Sequence, residues 1–187
     1  MDKERAIGQI LERQGLLSSG ELDEVIEQNR ERQTLLTDLV VQQNIASESD
    51  VAQALARECG LDYIDTIDAE AVPLEAATRL PISYAKAQKV LLLGSSEEQV
   101  ELVCADPLNV SALDDIRAMT GAKIHVQVAP ASLVVDTINR VYERQDTMGE
   151  DLESEEDIQE DGQGDLLDSD EDAPIIRWVN ALFSQSV

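Results

Sequence analysis

Lysine, histidine, cysteine and aromatic residues are all scarce in this 187-residue chain, and each scarcity removes a class of chemistry. Its only lysines are Lys3, Lys86, Lys89 and Lys123, and none follows a glycine. A P-loop needs that Gly-Lys step, because a lysine and backbone amides together cradle the phosphates. His125 is the sole histidine, so histidine pairs and HExxH metal sites are excluded. Alternating with Ile124, Val126 and Val128, it reads as the exposed face of a strand. Cys59 and Cys104 are too few for a disulfide framework or a four-ligand zinc site. Both read as small apolar residues, in keeping with a reducing compartment. No catalytic residue and no metal ligand is assigned. Long apolar runs are missing too: residues 90–93 form a run as long as any, far short of the ~20 residues a membrane span needs. The beginning MDKERAIGQ has no apolar core of a secretory signal.

Carboxylates are what the chain has in excess. Against 14 Lys and Arg stand 39 Asp and Glu, a net charge of −25. Such a surface repels phosphate backbones and anionic lipid heads, so nucleic-acid binding and direct membrane insertion are not expected. Fourteen of the acidic residues fall in residues 146–172, a stretch with no Lys or Arg. Like charges with few large apolar residues resist collapse, and residues 146–173 read as a disordered acidic linker. Beyond it, Ile175, Ile176, Val179, Leu182 and Phe183 make a helical apolar stripe behind Pro174. Residues 174–187 read as the first helix of a further domain.

The first 60 residues contain an internal repeat at an offset of 29. Gly15 and Asn44 hold the same slot, where a helical hairpin turns through positive φ. Ser18 and Ser47 follow as helix N-caps, with Glu21 and Asp50 three residues later to complete capping boxes. Leu22, Val25 and Ile26 match Val51, Ala54 and Leu55 as the buried stripe of each second helix. Residues 1–60 are thus a helical double hairpin.

Residues 61–145 change to a mixed pattern. Strands are expected over 89–93, 99–105 and 123–128, with Tyr63 and Ile64 as a short candidate. Helices are expected over 73–80, ended by Pro81; over 111–120, capped by Ser111 and stopped by Gly121; and over 130–142. The fold class is α+β: a helical double hairpin, then a small three-stranded α/β sandwich.

Three segments in combination, the double hairpin with Gly15, Leu16 and Leu17, the stretch CADPLNVSALDDIRAMTGAKIHVQVA, and DEDAPIIRWVNALFSQSV, resemble the N-terminal region of the type II secretion system ATPase, general secretion pathway protein E, and of type IV pilus assembly ATPases. The resemblance implies that the ATPase core, with its ATP and Mg and its hexameric ring, lies beyond this sequence, which itself has no cofactor. It also implies a cytoplasmic protein docked to the cytoplasmic domain of an inner-membrane platform protein.

Some members of that family bind cyclic di-GMP on their hairpins, through a motif of the form Arg-Leu-Gly-x-x-Leu-Val-x-x-Gly-Leu-Ile, then Leu, a small-apolar pair and Gln. An arginine stacks on or forks to the ligand, and the glycine turn lets backbone approach it. The first copy here keeps Gly8, Leu11, Gly15, Leu16, Leu17, Leu22 and Ile26. It departs at the arginine slot, which holds Ala6 with Arg5 one residue early, and at the glutamine slot, which holds Asn29 beside Gln28. The second copy has Thr37 and Asn44 for its glycines and Leu35 for arginine. Arg5, Gly8, Leu11, Gly15, Leu16, Leu17, Leu22, Ile26, Gln28 and Asn29 are therefore the candidate nucleotide-binding residues of a cyclic di-GMP-sensing alternative to the docking module.

Overall fold

The computed structural model describes residues 3–32, 35–96 and 99–159. Met1–Gly149 form one compact unit, and Glu150–Val187 are a separate one. The apolar helix expected over residues 174–187 lies outside the described residues, as does the second half of the expected linker, residues 160–173.

Four helices come first: α1 (Lys3–Arg13), α2 (Ser19–Arg32), α3 (Leu36–Gln42) and α4 (Glu48–Cys59). The repeat is visible in their joints. Gly15 turns at φ 75° and Asn44 at φ 55°, the left-handed region these two residue types tolerate best. After each turn a serine starts the next helix. The Ser47 hydroxyl accepts from the Asp50 amide at 3.1 Å, while the Asp50 carboxylate accepts from the Ser47 amide at 3.3 Å. Ser18 and Glu21 repeat the exchange, with the Ser18 amide donating to Glu21 at 2.8 Å. The serine hydroxyl first, and the serine amide second, hold each carboxyl below its ordinary range. Ile7, Leu11, Val25, Leu36, Leu39, Val40 and Leu55 close the hairpin core.

The α/β part follows as β1 (Asp62–Tyr63), α5 (Leu74–Ala77), α6 (Ile82–Gln88), β2 (Val90–Ser95), β3 (Gln99–Cys104), α7 (Val110–Thr120), β4 (Lys123–Val128) and α8 (Ala131–Gln159). The strands form one mixed sheet in the order β1-β4-β3-β2. β2 and β3 are an antiparallel hairpin whose register shifts between Leu92 and Gly94. β3 and β4 are parallel, so α7 is the crossover their direction requires. Leu91, Leu92, Leu102, Val103, Ile116 and Ile138 are fully buried in the second core.

Four details correct the expectations. The sheet has a fourth strand, because the short candidate near Tyr63 pairs parallel with Gln127 and Val128. Pro81 does not end a helix but begins one: it is the N-cap of α6, where a missing amide costs nothing. The cap of α7 is Asn109, whose side chain accepts from the Ala112 amide, rather than Ser111. Residues 146–159, assigned to the linker, are a continuation of α8. Their Glu, Asp, Gln and Leu propagate a helix already nucleated by its packed first turns, and this outweighs the repulsion of neighbouring carboxylates.

The boundary drawn at residue 60 separates two cores but not two bodies. Ala52 and Ala56 of α4 pack on Val128 of β4, with Leu61 and Tyr63 against them. Gly60, at φ 65°, caps α4 and turns the chain directly into β1. Farther along, Tyr142 of α8 donates to the carbonyls of Ala77, at 2.8 Å, and Leu80, while Arg144 donates to those of Ala69, at 2.6 Å, and Val72. The irregular segment between β1 and α6 is thereby pinned to α8.

Two measurements check this account. Tyr142→Phe keeps the ring and removes the hydroxyl from its two carbonyls, so urea denaturation is expected to show a loss of about 1–2 kcal/mol. The depressed carboxyls of Glu21 and Asp50 contribute stability that is fully present above their unfolded values and is lost as pH falls through their folded ones. Thermal midpoints should therefore fall as pH drops below about 4. The double variant Ser18→Ala, Ser47→Ala should be less stable at neutral pH and show a shallower acid dependence.

Candidate functional site

The ten candidate residues of the first hairpin divide sharply by burial. Leu11, Leu17 and Leu22 are core side chains, and Ile26 and Leu16 are half-buried against the same core. Gly8 is buried at the closest approach of α1 and α2: a Cβ there would stand 2.3 Å from the Leu22 Cδ1. The glycine slot of the motif is thus used for helix packing. Gly15 is exposed, with open space where a Cβ would point, so its requirement is the positive φ alone. Arg5 lies exposed on α1. Half-buried Gln28 accepts from the Gln43 side chain at 2.6 Å, tying α2 to the C-cap of α3, and Asn29 beside it is half-buried as well. The fold brings Gly8 and Leu22 together.

A cleft of about 190 Å³ opens where the second hairpin meets the sheet. Its walls are α3 and α4 on one side, and on the other the ends of β3 and β4 with the start of α8. Loops beyond the carboxyl ends of parallel strands are where α/β folds commonly hold ligands. Here, however, the charged groups engage one another. Lys89, held at φ 50° as the C-cap of α6, reaches Asp38 at 3.2 Å. Asp106 meets Lys3 at 2.6 Å. The Glu48 carboxylate accepts from the Ser132 amide at 2.9 Å and its hydroxyl at 2.6 Å, and so caps the N-terminus of α8. A protein carboxylate thereby fills the position at which a helix end would hold an anion.

These partners were not foreseen from the sequence, since each pair joins distant segments and neither member carries a local signal. The Glu4 carboxylate accepting from the Leu36 amide at 2.6 Å is of the same kind. The cysteines fit the small-apolar reading. Cys104 is fully buried, and burial first, then Asp106 and Cys59, pushes its thiol up to about 12. Burial raises the Cys59 thiol too, followed by Glu58 and Asp106. Neither supplies a thiolate near neutral pH. His125 is exposed on β4, 3.7 Å from the Asp62 carboxylate. Among the described residues, no helix is long and apolar enough to cross a membrane.

Residues 59–148 match the family model of the MshEN domain. The type IV pilus assembly ATPase PilB of Myxococcus xanthus is 22% identical over 188 residues, covering 97% of this chain and 33% of its own length. Type II secretion system protein E of Dickeya dadantii is 34% identical over 122 residues, 58% of this chain and 24% of that protein. The chain spans about a third or less of these curated relatives. Among solved structures, the N-terminal domain of XpsE has the same fold, with a TM-score of 0.59 at 23% identity over 75% of this chain and 96% of that one. A structure of MshE with cdg also has it, with a TM-score of 0.59 at 22% identity over 73% of this chain and 98% of that one. Residues 59–148 thus match an MshEN domain, and the chain is similar to type II secretion system protein E and the type IV pilus assembly ATPase PilB.

Proposed function

We propose that this chain is a docking module: it holds a type II secretion ATPase against the cytoplasmic domain of an inner-membrane platform protein. The observation that carries the reading is the state of the cleft and hairpin. Asp38 with Lys89, Asp106 with Lys3 and Glu48 with Ser132 engage one another, and the motif leucines are buried. Among the described residues of this cleft the cations are thus engaged by carboxylates rather than held open for a phosphate, and the net charge of −25 suits a basic protein partner. Kinship with type II secretion system protein E supports the same reading. On this proposal, ATP, Mg and the hexameric ring belong to the ATPase core, and the membrane is reached only through the partner.

A second reading, cyclic di-GMP sensing, is favoured by one observation: the MshE structure of the same fold contains cdg. Retention of Gly8, Leu11, Gly15, Leu16, Leu17 and Leu22 fits it. Ala6 in the arginine slot weighs against it, because the guanidinium supplies both the stacking face and the charge-assisted hydrogen bonds.

Calorimetric titration separates the two. Saturable binding of the platform protein's cytoplasmic domain, weakened by salt, is expected, with no heat from cyclic di-GMP. Nucleotide binding that is lost in Arg5→Ala, without binding of the platform domain, would reverse the choice. We also propose that the chain does not hydrolyse ATP, since it has no Gly-Lys step. Phosphate release from the purified chain with ATP and Mg should match a protein-free blank.

A further inference from the structure

Along one edge of the α/β part, α6 and α7 leave a groove of about 280 Å³ lined by Leu80, Pro81, Tyr84, Asp115, Ile116 and Met119. Its floor is solid, because Leu80 and Ile116 are buried. Its lining is open at Met119, 48% exposed, and Ile82, next after the lining residue Pro81 in the chain, is 39% exposed. Met119 continues the stripe of Leu113 and Ile116, three residues on, past the point where the sheet can cover it. The walls are braced, since the Tyr84 hydroxyl donates to the Asp115 carboxylate at 3.1 Å and so joins α6 to α7. The groove is therefore formed before anything enters it.

Three arguments identify what enters. The volume, about 280 Å³, lies at the bottom of the range of small-molecule sites, and the open groove suits one or two side chains offered by another protein. The lining carries one charge, the carboxylate of Asp115, on a molecule of net charge −25; Asp114 beside it in the chain is paired with Arg117 at 2.7 Å. A basic partner complements that field. A second copy of this chain does not: a two-fold contact would bring one Asp115 near the other. Methionine suits such a place, because its flexible, polarisable side chain adapts to an incoming apolar group.

We propose that the groove between α6 and α7 is the anchor pocket of the docking surface, and that its occupant is an amphipathic helix with an apolar residue flanked by lysine or arginine. The groove supplies the buried apolar contact, and Asp115 sets orientation and association rate. This inference rests on the docking reading, in which the platform protein's cytoplasmic domain presents that helix.

The test measures binding of that cytoplasmic domain to the full chain by calorimetry, with self-association followed by sedimentation. Met119→Glu and Ile82→Glu are each expected to weaken binding at least tenfold, with circular dichroism unchanged because both side chains are already exposed. Asp115→Lys should weaken it and flatten its salt dependence, while Arg57→Ala, on α4, should leave it unaltered. If wild type and all variants bind equally, the groove is not the anchor and the docking reading stands alone. If wild type does not bind, both fall. Dimerisation of wild type that Met119→Glu abolishes would make the occupant a second copy and overturn the proposal.

Discussion

Helix α4 is buried on two sides, and the rest of the molecule is arranged around that fact. Val51, Ala54 and Leu55 face the hairpin core, while Ala52 and Ala56 face Val128 of the sheet. A helix with one apolar stripe would close the hairpins and leave the sheet uncovered. The second side is built from alanines, which let the helix axis approach the strand closely, and a larger side chain there would push the two cores apart. Gly60 then sets the direction, because its positive φ turns the end of α4 straight into the edge strand β1. Polar contacts are added around this apolar hinge: Lys3 with Asp106, Asp38 with Lys89, and Glu48 with the start of α8. Being partly exposed, the two ion pairs contribute little stability each, and their effect is to fix orientation.

What could be read from the sequence follows from how local each signal is. The Gly15 and Asn44 turns and the two Ser-x-x-acid caps depend on residues within a few positions, and the structure has them as read. β4, with its alternation of Lys123, Ile124, His125 and Val126, was equally legible, since period two has one physical cause. Proline was misleading, because Pro81 punctuates chain in either direction, and only the packed Ala85 behind it shows that a helix follows. The linker reading fails over residues 146–159 for a different reason. Charge repulsion is visible in composition, whereas the nucleus that α8 brings to it is a product of packing.

The candidate site was legible in its residues and illegible in their use. A motif specifies residue types at a spacing, and two quite different demands fit the same types. Gly8 satisfies a packing demand, since a side chain there would meet Leu22, and Leu11, Leu17 and Leu22 satisfy the need for a core. Gln28 is engaged by Gln43 from the other hairpin, a partner that no spacing within the first copy could reveal. Residues that bind only a ligand are free to change when the ligand is lost, whereas residues that also pack are not. In the first copy the leucines and Gly8 are required by packing and Gly15 by its positive φ, so their presence has a structural cause whether or not a ligand binds.

Packing also joins the surface groove to both cores. α8 starts under the Glu48 carboxylate and runs past Tyr142 and Arg144, which grip the carbonyls of the irregular segment before α6. That segment ends at Leu80 and Pro81, which line the groove between α6 and α7. Tyr142 accordingly contacts the Leu80 carbonyl from inside while the Leu80 side chain floors the groove from beneath. A load on the groove is met within one residue by a buried tyrosine of the longest helix, and that helix is anchored at its other end to α4. Close-packed interiors transmit such displacement rather than absorbing it, so the groove is mechanically joined to both cores.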